Sequence, residues 1–228
     1  MPIQVFTLTL QRFFIIIAQA VFPVYNGFHE RESLPMPDPT LERLLEGNRR
    51  YVAHRPALDE SPRRRIEVAR GQKPFAAVFG CVDSRVPPEL VFDQGLGDLF
   101  VVRTAGIVLD QAVLGSLEFG IQQFNIPLLV VLGHAYCGAV RAAIDVLDQR
   151  GKAEGDIEYL VQALAPAVEG GKHLGGDLWE QSTRVQIALQ VEQLRRAPVL
   201  AAAVECGALR VVGAWYHLDS GLVEITVE

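Results

Sequence analysis

Apolar positions along the chain follow two patterns that take turns. Residues 74–80 and 128–133 are apolar without a break and are bounded by Gly or Pro. Runs of that kind suit strands buried on both faces of a parallel sheet. Residues 99–102 give a further strand between them. Elsewhere apolar side chains recur at helical spacing. Leu41, Leu44, Leu45, Asn48, Tyr51 and Val52 form one mostly apolar stripe, with Asp38 as cap and Pro39 as first helical residue. Val113, Leu114, Leu117, Phe119 and Ile121 mark an amphipathic helix over 111–124. Helices are also expected over 63–70 (ended by Gly71), 89–93, 137–149, 157–168 and 178–196. A polar loop at 151–155 and a flexible glycine-rich connector at 170–176 separate the later ones. Residues 209–216 and 222–227 read as strands joined by a hairpin turn at Asp219, Ser220 and Gly221. Strands alternating with helices predict βαβ units with right-handed crossovers. The expected fold is α/β, a mainly parallel sheet flanked by helices, with a C-terminal edge hairpin.

Composition narrows this modestly. A chain of 228 residues, half of them hydrophobic, buries a sizeable core. The expected organisation is a single α/β catalytic domain over 36–228, with residues 1–35 as an N-terminal extension. A formal net charge of −6 argues against nucleic-acid binding, which needs basic surface. The one basic run, Arg63, Arg64 and Arg65, reads as a solvated face. Three cysteines make no disulfide framework. Cys206 ends an apolar, helix-like segment and reads as a small buried hydrophobe.

The N-terminus fits three readings. Residues 13–25 are mostly apolar, and Ala18, Gln19 and Ala20 imitate a cleavage site. The segment is a leader, an arm that packs on a partner subunit, or an extension before a true start at Met36. A leader implies export; the other two leave the protein cytoplasmic.

The chemistry gathers at the ends of the two apolar runs. The first is followed by Cys81, Asp83 and Arg85, the second by His134 and Cys137. Gly80 reads as a sharp turn before Cys81. Ligands of open α/β sheets bind beyond the carboxyl ends of the strands, so these groups would meet at one edge. Two thiolates and an imidazole are ligands zinc prefers, and three protein ligands leave a fourth position open. From the residues alone, a zinc site and a set of ordinary buried side chains both remain open. Asp83 and Arg85 make a salt bridge, and beside a metal Arg85 can hold Asp83 ionised to orient an attacking oxygen.

Cys-x-Asp-x-Arg at 81–85, with His-x-x-Cys beginning 53 residues after Cys81, resembles the β-class carbonic anhydrases. Residues 92–98 and 101–106 support the likeness, which covers roughly Met36 onward. The resemblance implies a zinc-dependent lyase that interconverts carbon dioxide and bicarbonate. It implies Zn2+ on Cys81, His134 and Cys137, with Asp83 as orienting group in an open site and as fourth ligand in a closed one. It implies a homodimer or dimer of dimers (a homotetramer), and an N-terminal helix lying across a neighbouring subunit. Some relatives hydrolyse carbonyl sulfide or carbon disulfide, and a non-catalytic zinc module is the remaining alternative. Some also carry an inhibitory bicarbonate pocket built from Trp, Arg and Tyr. Arg103 and Tyr216 match the last two, but the Trp position falls on Val78, and Trp215 should face the opposite side of the sheet from Tyr216. With two thiolates cancelling the metal's charge, turnover is expected to rise as pH climbs through the weakly alkaline range.

Overall fold

The computed structural model describes residues 39–228. The expectations for the N-terminal segment and for the cap at Asp38 lie outside the described residues. Five strands form one sheet: β1 (Ala76–Cys81), β2 (Leu99–Thr104), β3 (Leu128–His134), β4 (Arg210–Tyr216) and β5 (Val223–Val227). Their order is β2-β1-β3-β4-β5. The first four run parallel and β5 returns antiparallel at the edge. Every residue of β1 and β3 is buried, which is why neither carries a polar residue before its last position.

The helices are α1 (Pro39–Val52), α2 (Pro62–Val68), α3 (Pro88–Val91), α4 (Gln111–Phe124), α5 (Gly138–Leu147), α6 (Ile157–Lys172), α7 (Leu178–Arg196) and α8 (Pro198–Glu205). Alternate strand residues feed two cores. Ala77, Phe79, Leu129, Val131, Val211 and Trp215 pack with apolar side chains of α4, α5, α6, α7 and α8. Val78, Val130, Leu132, Val212 and Tyr216 pack instead with Leu41 and Leu44 of α1 and Val91 of α3. Trp215 and Tyr216 do face opposite sides. Phe79 is fully buried, so truncating it to Ala costs about 3–5 kcal/mol.

Four local expectations need correction. Gly80 makes no turn: it pairs with Arg103 on one side and Leu132 on the other, so the sheet holds it extended and the strand ends at Cys81. The segment 170–176 is not all connector, because α6 runs on through Gly170, Gly171 and Lys172. Those two glycines permit close helix packing; an added Cβ would stand 2.9 Å from Val185 and 2.5 Å from Ser182 of α7. Phe119 sits on the exposed side of α4, where its ring meets Phe124 edge-on. Cys206 is exposed just past the end of α8, its thiol donating to the Ala203 carbonyl.

Candidate metal centre

β1 and β3 are neighbours in register, with Gly80 opposite Leu132. Their last residues, Cys81 and His134, therefore emerge at the same sheet edge, His134 one position further along. Three residues further on, the chain has turned and Cys137 opens α5. Tyr136 makes that turn possible by adopting a left-handed conformation, φ 55°. Its ring rests edge-on against Trp179, whose indole N–H donates to the Cys137 carbonyl at 2.7 Å.

The ligand atoms of Cys81, His134 and Cys137 all lie within 4.8 Å of one another, and all three residues are buried. The two sulfurs are 4.0 Å apart and are not bonded to each other. Two zinc–sulfur bonds of about 2.3 Å at a tetrahedral angle would set them about 3.8 Å apart. The Nδ1 of His134 lies 2.8 Å from the Ala135 carbonyl. That contact puts the proton on Nδ1 and leaves the Nε2 lone pair free. Nε2 is fully buried and has no hydrogen-bond partner. An unpaired buried polar nitrogen costs about 1–3 kcal/mol, and a cation between it and the sulfurs removes that cost. The residues present thus fit a zinc ion.

The sulfurs are cradled by amides. Cys81 accepts from the backbones of Asp83 and Gly106, and Cys137 from Ala139 and Val140 at the start of α5. A hydrogen bond from the Cys137 thiol holds the Cys81 pKa well below the usual thiol range, helped by the backbone amides of Asp83 and Gly106 against the effect of burial. The same bond, with burial, pushes the Cys137 pKa up. The two thiols titrate as a coupled pair, and a bound dication displaces the proton they share.

Asp83 lies just beyond. Arg85 grips it with Nε on Oδ1 at 2.9 Å and a terminal nitrogen on Oδ2 at 2.8 Å, while the Arg85 backbone N–H adds a third bond to Oδ1. These bonds hold the Asp83 pKa down to about 2. Its Oδ2 is 3.9 Å from His134 Nε2. The carboxylate is thus beside the three-residue group and bound to Arg85, the arrangement the resemblance associates with an open site.

Arg103 and Tyr216 make their hydrogen bonds elsewhere. Arg103 donates to the carbonyls of Cys81, at 2.7 Å, and Asp83, at 2.6 Å. It braces the loop that carries both residues. The Tyr216 hydroxyl meets that of Tyr51 at 3.3 Å. Burial and that neighbour raise its pKa. Sequence reading missed Trp179 and Gln186, the second of which donates to the carbonyls of Gly106 and Ile107. Both act on residues 42 to 80 positions away, and neither carries a local signal.

The family model for carbonic anhydrase matches residues 76–223. The chain belongs to the β-carbonic anhydrase family. Carbonic anhydrase 2 of Mycobacterium tuberculosis is 44% identical over 180 residues, 78% of this chain and 87% of that one. A β-carbonic anhydrase of Coccomyxa, solved with acetazolamide, superposes with a TM-score of 0.66 at 26% identity, covering 85% of this chain and 88% of its own. Structures described as tetrameric β-carbonic anhydrases from Sordaria macrospora share the fold, with a TM-score of 0.66 at 19% identity over 82% of this chain and 97% of theirs. Like its relatives, this carbonic anhydrase is a zinc-dependent lyase that reversibly hydrates carbon dioxide to bicarbonate and a proton. Among the described residues, no helix is long and apolar enough to cross a membrane.

Proposed function

We propose that Cys81, His134 and Cys137 hold the zinc ion of this carbonic anhydrase, and that Asp83, fixed by Arg85, orients the attacking oxygen. The observation that carries the assignment is the unpartnered Nε2 of a fully buried histidine, turned toward two sulfurs. Zinc supplies Lewis acidity and lowers the pKa of a water it binds, to about 7 in the three-histidine carbonic anhydrases.

The protein's own groups do the rest. His134 keeps its Nε2 lone pair available because its proton is committed to the Ala135 carbonyl. A carboxylate with a pKa of about 2 is too weak a base to take a proton at neutral pH. The work of Asp83 is therefore acceptance: its Oδ2 receives a hydrogen bond from the nucleophile and aims the oxygen lone pair at carbon. Arg85 holds that carboxylate and also reaches the Tyr136 carbonyl at 3.4 Å, tying the two ligand loops together. Arg103 fixes the backbone beneath Asp83.

The proposed assembly is a homodimer or a pair of dimers, in keeping with the tetrameric Sordaria relatives. The proposed catalytic unit is 36–228, and the proposed compartment is the cytoplasm, where three unbonded cysteines suit reducing conditions. The decisive experiment combines metal analysis, stopped-flow carbon dioxide hydration and light scattering on the full chain and on 36–228. One zinc per chain, hydration by both forms and a mass of two or four chains are expected. Hydration without zinc, or zinc that survives loss of both cysteines, rules the assignment out.

A further inference from the structure

The segment joining β2 to α4 holds a conformation that its residues resist. Gly106 has φ 65° and Ile107 has φ 50°. Glycine takes the left-handed region freely, but a β-branched side chain there is a true outlier. Such strain persists only where the surroundings impose it, and it clusters at functional sites.

Two side chains bond to this segment: Thr104 donates to the Val108 carbonyl at 2.9 Å, and Gln186 reaches the turn from α7. Gln186 of α7 is buried, and its Nε2 donates to the Gly106 and Ile107 carbonyls, each at 3.3 Å. Two acceptors on one nitrogen fix which end of the amide faces the turn, since the flipped amide would set oxygen against oxygen. The amide oxygen, Oε1, is buried with no partner. The group is thus kept at that position despite leaving half of its polar capacity unmet. The other side of the same turn faces the metal centre: Thr104, which leads into the turn, pairs with Cys81 across the sheet, and the Gly106 N–H is placed to hydrogen-bond the Cys81 sulfur. Gly106 is also closely surrounded, since a Cβ there would meet Leu164 at 3.0 Å and Ala139 at 3.2 Å.

We infer that Gln186 is a positioning residue of the zinc centre, holding the strained turn at Gly106 and Ile107 so that the Gly106 amide hydrogen-bonds to the Cys81 sulfur. The inference rests on the assignment of Cys81 as a ligand. An N–H bonded to a thiolate draws off part of its charge and fixes its direction, and groups behind a metal ligand change affinity or activity by about 10–100-fold when removed. Gln186 touches neither the ion nor the substrate.

The test replaces zinc by cobalt(II), whose thiolate charge-transfer bands report on the sulfur donors. Wild type, Gln186→Leu and Gln186→Met are compared with Gln190→Leu. Gln190 lies one turn along α7, is similarly buried and makes no hydrogen bond to the 106–107 turn. The Met variant keeps the length and flexibility of glutamine without a donor, so it stands in if the Leu variant does not fold. In the folded Gln186 variants, shifted bands and zinc release to a chelator faster by about 10–100-fold are expected, with Gln190→Leu like wild type. Wild-type bands and release rates in a folded Gln186 variant overturn the inference, and so does an equal change in Gln190→Leu. If the wild-type protein shows no thiolate bands, the ligand assignment fails and the inference falls with it.

Discussion

Two buried polar clusters in this molecule are built by opposite rules. The first lies between α1, α3 and the hairpin. Asn48 donates to the carbonyls of Val91 and Gly221 and accepts from the Val223 backbone. Asp93, its side chain fully buried, accepts from the backbones of Ala57 and Leu58 and from Arg50. Each of these groups has its partners. The second cluster, at the ends of β1 and β3, leaves His134 Nε2 with none and sets two sulfurs beside it. Satisfied polar groups in a core fasten elements that sequence places far apart. An unsatisfied one, with two soft donors at metal-ligand distance, marks where a ligand belongs.

The contrast breaks if the two clusters respond alike to truncation. The largest effect is expected from His134→Ala. Zinc content should fall from one per chain toward none, and hydration should drop to the buffer background, because water without the metal returns to a pKa of about 16. Metal analysis and stopped-flow assays read both. The first cluster should answer in the other currency. Asp93→Ala leaves two amides and a guanidinium without their acceptor, so urea unfolding should show a loss of about 3 kcal/mol. Hydration per bound zinc should be unchanged. A stable Asp93→Ala protein with impaired turnover would erase the distinction.

Much of this was legible in sequence, for a physical reason. β1 and β3 are buried along their whole length, so nothing interrupts their apolar run until the chain reaches the sheet edge. Cys81 and His134 stand out because they come where the run stops. The hairpin was legible because its turn residues are local. What failed to show was whatever depends on an unseen neighbour. Gly170 and Gly171 looked like slack in the chain, and only the closeness of Val185 and Ser182 makes them helical packing residues. Gly80 looked like a turn, and only pairing on both sides keeps it straight. Arg103 also braces the site loop through two of its donors, on the carbonyls of Cys81 and Asp83, a role that no local pattern shows. Gln186 acts on a turn 80 positions away, where no local pattern points to it.

Within the metal centre the sharper question is how the ion's holders divide from its helpers. Arg85→Ala removes both guanidinium bonds to Asp83 and leaves only the backbone N–H of residue 85 on Oδ1. Turnover should fall about 10–100-fold while zinc stays at one per chain, because the freed carboxylate can swing toward the metal and close the site. The same assays used for His134→Ala separate the two outcomes. Zinc loss in Arg85→Ala would mean that Arg85 holds the ligand loops together rather than aiming Asp83, and unchanged turnover would remove the pair from the mechanism.

The smallest expected effect concerns acid stability and isolates Asp83. Its folded pKa, about 2, is depressed by the Arg85 bonds below the usual carboxylate value near 4. A depressed carboxylate stabilises the fold above its unfolded pKa and loses that contribution as pH falls through the folded one. Wild type should therefore lead Asp83→Asn by a constant margin in urea midpoint from pH 6 down to about 4. The margin should close between about 4 and about 2. Zinc leaves both proteins in acid as the cysteines protonate, so that loss cancels in the difference. A margin that instead closes near neutral pH would mean that Asp83 is not held ionised by Arg85. The carboxylate could then serve as a base as well as an acceptor.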